Sequence, residues 1–334
     1  MIKIKQPLDM HLHLRDNDML ELVAPLSAKT FVGGLIMPNL VPPVTTKKMV
    51  LDYKERIEKA KNNENFTPYM TLFFQADYDY DFLNSIKDEI KAIKLYPSGI
   101  TTNSDGGVAN FDIDYLRQTL EAMSKLDIIL SIHGESNGFV MDRESEFMPL
   151  YEAIAKNFPD LTIVMEHITT KDAVETMKKY KNLHATITLH HLMIDLDDVA
   201  GGMLAPHLFC KPIAKRPEDR EALLNLALSG HDRVMFGSDS APHPKHKKEA
   251  DFCAAGVFTA PIAIERLVEI FDNNNALDKL SLFLSENAKR VYNIEPPKKI
   301  LTLEKIEHTI PNNYGDVIPM DANKKLNWKI TKID

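Results

Sequence analysis

The chain has 334 residues, of which 40 are basic and 48 acidic, so its formal net charge at neutral pH is −8. This length suits two average domains or one large α/β barrel, and the acidic balance disfavours nucleic-acid and anionic-membrane binding, which depend on concentrated positive charge. Two cysteines are too few for a disulfide framework, and we find neither a signal peptide nor a membrane span. We therefore expect a soluble, cytoplasmic protein.

Short apolar runs alternate with amphipathic patterns as far as Tyr292. Eight runs are predicted as strands: Pro7–Leu14, Phe31–Met37, Thr67–Gln75, Ala92–Tyr96, Ile128–His133, Thr162–His167, His184–Thr188 and Arg233–Gly237. Between them, apolar side chains recur at helical spacing, as in Val50, Tyr53, Ile57 and Ala60. Later helices are predicted after Asp112, a suitable N-cap, and at Lys171–Tyr180, Asp219–Ser229, Pro261–Phe271 and Leu277–Tyr292.

This alternation favours an α/β fold of the (β/α)8 or TIM-barrel type over an open doubly wound sheet. An open sheet that binds a dinucleotide would need a glycine-rich turn after its first strand, where this chain has His-Leu-His-Leu-Arg. The stretch of residues 297–334 is expected to be a short C-terminal appendage. Because catalytic residues of such barrels lie at the C-terminal ends of the strands, those ends are the place to look for chemistry.

The first predicted strand ends in a His-Leu-His pattern. Because side chains two apart along a strand point to the same side, His11 and His13 share a face with Asp9, whereas Met10 and Leu12 are expected on the other. Two adjacent buried imidazoles can share a divalent metal ion, which compensates for their removal from water. Two packed or solvated histidines without a metal remain the alternative.

The fourth run places Lys94 on the same side as Ala92 and Tyr96, so that its side chain is expected to point into the barrel. A buried lysine without a partner is costly and tends to lose its proton. One interpretation is a structural ion pair with Asp9 or Asp239. The other is a neutral amine that has reacted with carbon dioxide to form a carbamate, which is an anionic ligand for two metal ions.

Further candidate ligands follow the later strands. His133 and His167 end two successive runs, Asp239 follows the eighth, and His243 lies four residues further on. One end of the barrel would thus collect His11, His13, Lys94, His133, His167 and Asp239. Imidazoles with carboxylate-type oxygens suit Zn²⁺ best, and Mn²⁺, Co²⁺ and Fe²⁺ remain open.

These residues resemble the pattern of the amidohydrolase superfamily. Within it, the chain is similar to the short, dimeric type of bacterial dihydroorotase. The similar segments extend over nearly the whole barrel: DMHLHLRD (9–16), MPNLVPPVTT (37–46), KLYP (94–97), HGE (133–135), EHITTKDA (166–173), PHLFCKPIAKR (206–216) and GSDSAPH (237–243). Longer, hydantoinase-type relatives carry a β-sandwich built from both chain ends, for which the residues before His11 leave no room.

The resemblance implies one metal-dependent hydrolase domain over residues 1–334, which interconverts L-dihydroorotate and N-carbamoyl-L-aspartate in pyrimidine (UMP) biosynthesis. It implies two Zn²⁺ ions per subunit. One ion would be held by His11, His13 and Asp239, the other by His133 and His167, with carboxylated Lys94 (N6-carboxylysine) bridging both. A hydroxide bridging the metals would attack the ring, with Asp239 as general acid and base. A homodimer without nucleic-acid or membrane partners is also implied.

The resemblance further implies a set of substrate-binding residues: His13, Arg15, Asn39, His133, Lys211, His243 and Ala255. Arg15 lies two residues after His13 and is expected on the same side of the strand as the two histidines. Its planar guanidinium can bind the substrate carboxylate through two parallel hydrogen bonds. The alternative for Arg15 is a surface ion pair with Asp16 or Asp18. Asn39 has the alternative role of a turn residue, and His243 that of a loop cap.

The polar, glycine-rich segment 97–108 begins just after Lys94 and is positioned to act as a lid. By resemblance, Thr101 and Thr102 would contact the substrate, whereas a merely mobile connection is the alternative. Two other functions remain open: a hydantoinase- or dihydropyrimidinase-like hydrolase, whose substrates lack the ring carboxylate, and a catalytically silent scaffold. Ordinary structural roles are expected for the remaining histidines: His184, His190, His191, His207, His231, His246 and His308.

Overall fold

A parallel eight-stranded barrel forms the centre of the computed structural model, which describes residues 1–334. Strand β1 (Ile2–Lys5) lies outside the barrel. The barrel strands follow one another in chain order: β2 (Leu8–Leu12), β3 (Gly33–Ile36), β4 (Thr67–Phe73), β5 (Ala92–Leu95), β6 (Ile129–Ile132), β7 (Ile163–Met165), β8 (Leu183–Ile187) and β9 (Val234–Phe236). All eight predicted strands are confirmed, with ends that lie within two residues of the prediction.

Helices join the strands. They are α1 (Asn17–Thr30), α2 (Lys47–Ala60), α3 (Tyr80–Ile86), α4 (Ile113–Lys125), α5 (Arg143–Asn157), α6 (Lys171–Lys179), α7 (Leu189–Met193), α8 (Leu196–Ala200), α9 (Pro217–Leu228), α10 (Lys245–Lys248), α11 (Ala263–Asn273) and α12 (Asn287–Val291). The predicted N-cap is confirmed, since the Asp112 carboxylate accepts a hydrogen bond from the Asp114 N–H. None of the helices has the length and apolar character that crossing a membrane requires.

The continuous helix predicted over Leu277–Tyr292 is wrong. The segment consists of a 3₁₀ turn at Leu277–Lys279, a π-helical stretch at Leu282–Glu286 and then α12. The π-helical stretch buries three consecutive side chains, those of Phe283, Leu284 and Ser285, which a regular surface helix does not do. Apolar spacing alone could not reveal this interruption.

The barrel closes through contacts between β2 and the segment that follows β9. The backbone N–H of Asp239 donates to the carbonyl of His11 at 2.9 Å, and Leu12 forms a parallel bridge with Ser240. The buried carboxylate of Asp9 accepts hydrogen bonds from the Ser238 backbone N–H at 2.8 Å and the Ser238 hydroxyl at 2.5 Å. Closure therefore brings the ends of the first and last strands side by side.

The interior below the strand ends is filled by apolar side chains that form a cluster separate from the strand–helix core. Its members include Leu8, Met10, Leu35, Ala92, Val164 and Met235. The expectation that Met10 faces away from the interior is wrong, because the pairing of β2 with β3 shifts register between Asp9 and Leu12. This irregularity lets Met10 pack in the interior while His11, the next residue, also serves the site above it.

Both chain ends contribute to a small antiparallel sheet. Strand β10 (Ile300–Glu304) pairs with β1 on one side and with β13 (Lys329–Ile333) on the other. A second, two-stranded sheet joins β11 (His308–Thr309) to β12 (Lys325–Leu326). The C-terminal segment is thus an ordered β-structure completed by an N-terminal strand that the sequence analysis did not predict.

Lys299 attaches this sheet to the barrel. Its side chain is buried, and Nζ donates to the carbonyl oxygens of Ala28 at 2.5 Å and Phe31 at 2.9 Å, at the end of α1. Replacing Lys299 with Met would leave these carbonyls without a donor, so we expect the free energy of unfolding to fall by about 1–3 kcal/mol. Chemical denaturation of Lys299→Met measures this loss. The exposed neighbour offers the matched control Lys298→Met, expected within about 0.5 kcal/mol of wild type; equal stability of both variants would contradict the assignment.

Candidate active site

A small cavity lies at the C-terminal end of the barrel. Its lining is mostly polar and comes from the strand ends and from three loops: His11, His13, Arg15, Asn39, Tyr96, Thr101, Thr102, His133, His167, Lys211, Asp239, Ala241, Ala255 and Gly256. Eleven of these fourteen residues belong to the set proposed from the sequence. Polar side chains that converge on one small cavity suit the binding of a small polar molecule.

His11, His13 and Asp239 form one cluster. The Asp239 Oδ1 atom lies 3.1 Å from His13 Nε2 and 3.5 Å from His11 Nε2. On its other side, the His11 ring is oriented by Glu166, whose Oε2 lies 2.8 Å from His11 Nδ1. Since Nδ1 is occupied by Glu166, His11 presents Nε2 to the cluster, where that atom has no hydrogen-bond partner.

His133 and His167 form the second cluster beside the first. His133 Nδ1 lies 3.2 Å from His167 Nε2, and His133 Nε2 lies 2.7 Å from a Glu135 carboxylate oxygen. The ring of His167 is 4.8 Å from that of His11, so the two clusters are adjacent. Glu135 plays the part for His133 that Glu166 plays for His11, which fixes the ring nitrogen left for the site.

Burial favours the neutral form of three imidazoles of the site, those of His11, His13 and His167. Removal from water lowers the pKa of His11 and holds the pKa values of His13 and His167 well below their ordinary value. A neutral imidazole nitrogen is the form that binds a metal ion. Burial also raises the pKa of Asp239, so this carboxylate accepts a proton more readily than an exposed one.

Lys94 lies beneath these clusters and is fully buried. Its Nζ has no hydrogen-bond partner and lies 5.1 Å from the centre of the Tyr96 ring. The structural ion pair considered for Lys94 is not formed with Asp9, which is engaged by Ser238, nor with Asp239. Burial lowers the pKa of Lys94 to about 8, which makes the neutral, nucleophilic amine accessible.

The donor set fits divalent metal ions. His11 Nε2, Lys94 Nζ and His167 Nδ1 are buried polar atoms without a protein partner, and such orphaned atoms are rare in folded proteins. His11, His13 and Asp239 offer ligand atoms that lie within 4.8 Å of one another. Neutral imidazoles combined with carboxylate oxygens are the ligands that Zn²⁺ prefers.

Arg15 lies at the cavity without an acidic partner. Its Nη2 is 3.1 Å from His243 Nε2, and its Nε donates to the Pro242 carbonyl at 3.3 Å. The surface ion pair considered for Arg15 is not formed, because Asp16 pairs with Arg56 at 2.9 and 3.0 Å. The guanidinium thus remains available to an anionic ligand in the cavity.

The segment 97–108 lies over the cavity and is tied down by two residues proposed as substrate contacts. The Asn39 side-chain amide donates to the Thr102 carbonyl at 2.9 Å, and Lys211 Nζ donates to the Ile100 carbonyl at 2.8 Å. Thr101 and Thr102 line the cavity. Asn39 is therefore more than a turn residue, since it connects the segment to the site.

Three residues of the site adopt left-handed backbone conformations that are costly for residues other than glycine. Arg15, His167 and Asp239 have φ angles of 59°, 39° and 43°. Such strain costs on the order of 1–3 kcal/mol at each position and is typical of functional sites, where the surrounding structure enforces it. Here it turns the side chains that follow the strands toward the cavity.

The sequence analysis missed several contributors. Tyr96, Ala241 and Gly256 line the cavity. Tyr96 could have been predicted, because it lies two residues after Lys94 and so points to the same side of the strand. No sequence pattern indicated the roles of Glu135 and Glu166, since the pairing of an acid with a particular histidine depends on the folded barrel. His243 is next to the cavity rather than among its lining residues, and it contacts Arg15.

Most of the remaining histidines have ordinary partners. His191 lies against the Thr188 hydroxyl at 2.9 Å and the Pro212 carbonyl at 3.0 Å, with Cys210 Sγ 3.6 Å away. His190 is fully buried beside it, and neither of its ring nitrogens has a partner. Acidic side chains neighbour a further group: His207, His231, His246 and His308.

Comparison with known proteins yields a consistent set of matches. Residues 81–294 match the family model described as amidohydrolase. A dihydroorotase of Helicobacter hepaticus is 43% identical over 335 residues, which cover 98% of this chain and 97% of the relative.

Two solved structures agree with these matches. The crystal structure of dihydroorotase from Campylobacter jejuni has a TM-score of 0.95 and 58% identity, covering 99% of this chain and 97% of that one. That of dihydroorotase from Saccharomyces cerevisiae, in complex with 5-fluoroorotic acid, has a TM-score of 0.91 and 34% identity, covering 98% of each chain.

The orientation of His133 by Glu135 leads to a test. Glu135→Gln replaces a charged acceptor with a weaker neutral one, so we expect zinc affinity to fall by about tenfold. Competition with a chromophoric chelator measures the affinity. Glu221→Gln alters an exposed acid on α9, outside the loop that carries Glu135, and serves as the control; an unchanged zinc affinity in Glu135→Gln would show that the carboxylate does not support the ligand.

Proposed function

The chain belongs to the dihydroorotase family of the amidohydrolases, and from this premise we propose that it interconverts L-dihydroorotate and N-carbamoyl-L-aspartate in de novo pyrimidine biosynthesis. One observation carries the proposal. Four buried imidazoles, Lys94 and Asp239 meet at the same end of the barrel as an arginine that has no acidic partner. The first group suits hydrolysis of an amide, and the arginine suits a substrate that carries a carboxylate.

The proposed cofactor is a pair of zinc ions. His11, His13 and Asp239 would hold one ion and His133 with His167 the other, while carboxylated Lys94 would contribute to both. When bound, the ions polarise the ring carbonyl and lower the pKa of the attacking water. The orphaned Nε2 of His11 supports the first ion, because ion binding would satisfy an atom that the protein leaves without a partner. The 3.2 Å approach of His133 Nδ1 to His167 Nε2 supports the second, because it brings two ring nitrogens together.

The carbamate on Lys94 would form from the neutral amine. Nζ attacks the carbon of carbon dioxide, the new N–C bond forms as one C=O pair moves to oxygen, and loss of a proton from nitrogen leaves an anionic carbamate. The absence of any acid paired with Nζ and the lowered pKa of Lys94 both favour this step. An anion at this position would also balance the charge of the divalent ions.

Asp239 is the group proposed to move the proton. In the hydrolytic direction, the water oxygen bonds to the ring carbonyl carbon and its proton passes to the Asp239 carboxylate. The ring C–N bond then breaks, and Asp239 returns the proton to the leaving nitrogen. The raised pKa of Asp239 supports a role in which it accepts and then releases a proton.

Recognition of the substrate is assigned to the groups around the metal ligands. Arg15, Asn39 and His243 would receive the ring carboxylate, and burial together with Arg15 lowers the pKa of His243 to about 3, so this imidazole is neutral. The backbone of Lys211 and Ala255 would meet the amide edges of the ring. His13 and His133 would lie against the substrate as well as hold metal.

Segment 97–108 is the proposed lid. Its position over the cavity and its attachments to Asn39 and Lys211 support closure over a bound ring. Thr101 and Thr102 would then add hydroxyl contacts and help exclude water from the reacting groups.

Assembly and location follow the same premise. We propose a cytoplasmic homodimer without nucleic-acid or membrane partners. Both cysteines are free thiols and the net charge is −8, which agree with a reducing compartment and with a substrate other than a polyanion.

An activity assay tests the proposal together with its main alternative, a hydantoinase-like hydrolase. The assay follows the formation of N-carbamoyl-L-aspartate from L-dihydroorotate by the zinc-loaded enzyme. Arg15→Met removes the carboxylate fork, so we expect kcat/KM for dihydroorotate to fall about 100-fold. Any activity on dihydrouracil, which lacks the carboxylate, should change less than about threefold.

The variant Arg117→Met serves as the control, because Arg117 pairs with Asp114 on α4 and does not line the cavity. No turnover of dihydroorotate by the loaded wild type would reject the function. Equal losses of Arg15→Met on both substrates would instead favour a hydantoinase-like hydrolase.

A separate experiment tests the carbamate. Zinc-loaded protein incubated with ¹³C-bicarbonate should show a carbamate carbon resonance that is absent from Lys94→Ala. Removing the proposed ligand should also lower kcat by about 10³-fold, because metal-ion charge stabilisation contributes several kcal/mol. Full activity of Lys94→Ala with its zinc retained would rule the carbamate out.

A further inference from the structure

Lys248 is a buried lysine that the proposed mechanism does not use. It ends the short helix α10, where Lys245, His246 and Lys247 are exposed, yet only 3% of Lys248 is accessible to solvent. It forms no ion pair with an acid; its ammonium lies 5.9 Å from the centre of the Phe209 ring. A buried cation of this kind requires compensation from polar groups around it.

Backbone carbonyls supply that compensation. Lys248 Nζ donates to Gly256 at 2.7 Å, Ala254 at 2.8 Å and Phe209 at 3.0 Å. An ammonium group has three N–H donors, so the three carbonyls use its capacity in full. Burial lowers the pKa of Lys248 to about 8, which leaves the ammonium form predominant at neutral pH.

The three carbonyls come from two segments that both border the active-site cavity. Phe209 precedes Lys211 by two residues, and Ala254 and Gly256 flank Ala255. Lys211, Ala255 and Gly256 all line the cavity. A direct hydrogen bond from the Gly256 N–H to the Phe209 carbonyl, at 2.9 Å, also joins the segments.

The 254–256 segment fits its surroundings tightly. Gly256 has a φ of 150°, and a Cβ atom there would lie 2.4 Å from the Ala241 carbonyl oxygen. The neighbouring Ala255 carbonyl lies 3.0 Å from His243 Nε2, the ring that contacts Arg15. A displacement of this segment would therefore reach both the ring-amide side and the carboxylate side of the cavity.

We propose that Lys248 is a positioning residue for substrate binding, whose ammonium joins segments 209–211 and 254–256 so that their backbone groups meet the amide edges of the bound ring. This inference rests on the proposed function and adds to it a specific requirement for a cation outside the cavity. Without the ammonium, three carbonyls that converge on one point would repel one another, and only the Phe209 carbonyl would keep a backbone donor, the Gly256 N–H. The segments would then separate, and the binding edge for the ring would be lost.

The test compares full-length, zinc-loaded Lys248→Met with Lys247→Met, which removes an exposed lysine from the same helix. For Lys248→Met we expect KM for L-dihydroorotate to rise about tenfold or more, because charge-assisted hydrogen bonds are lost from the binding edge. We expect kcat to change less than about threefold and zinc content to stay at the wild-type value. The dissociation constant of 5-fluoroorotate should rise in parallel with KM, whereas Lys247→Met should match wild type in all four quantities.

A merely structural role would lower thermal stability without this split between KM and kcat. An unchanged KM and 5-fluoroorotate affinity in Lys248→Met would overturn the proposal, as would a loss confined to kcat. If Lys248→Met does not fold, Lys248→Gln, which keeps two N–H donors, is judged by the same criteria. Failure of the wild type to turn over dihydroorotate would reject the proposed function, and 5-fluoroorotate affinity would then decide the role of Lys248 by itself.

Discussion

Closure of the barrel between its first and last strands is the constraint on which the site depends. The Asp9 carboxylate accepts two hydrogen bonds from Ser238, and the N–H of Asp239 donates to the His11 carbonyl. These contacts both complete the barrel and set His11 and His13 beside Asp239. Burial raises the pKa of Asp9 to about 7, and the hydrogen bonds from Ser238 oppose this rise because they stabilise the charged carboxylate. The same few hydrogen bonds therefore serve the fold and assemble half of the candidate metal centre.

Three of the four buried lysines show how the protein compensates for the removal of a cation from water. Lys248 and Lys299 each donate to backbone carbonyls, so their charge is compensated by the fold. Lys94 is as deeply buried, but its Nζ has no partner at all. Since an uncompensated buried amine is unstable in its charged form, Lys94 differs from the other two in chemistry rather than in location. This contrast is the physical basis for assigning it a reaction rather than a structural role.

Periodicity and strand order made the barrel and the clustering of its histidines predictable. The strands are apolar, and their side chains alternate between the two faces of the sheet. This alternation correctly placed Lys94 in the barrel interior. Parity failed at Met10, where a register shift in β2 cannot be read from residue types. The orientation of His133 by Glu135 was likewise unpredictable, because it depends on which side chains the folded barrel brings together. The terminal sheet was missed because Ile2–Lys5 pairs with a strand almost three hundred residues away in sequence.

The local charge at the cavity is controlled by a competition among side chains outside it. Arg15 is followed directly by Asp16, and a pair between them would neutralise the guanidinium that the substrate carboxylate needs. Arg56 prevents this by binding both oxygens of Asp16, which also caps α1 through the Asn17 N–H. The left-handed backbone at Arg15 meanwhile directs its guanidinium toward His243, whose neutral ring adds no repulsion. An acidic chain can thus present a cation without an ion-pair partner to an anionic substrate, because the acid next to Arg15 in sequence is bound by a different arginine.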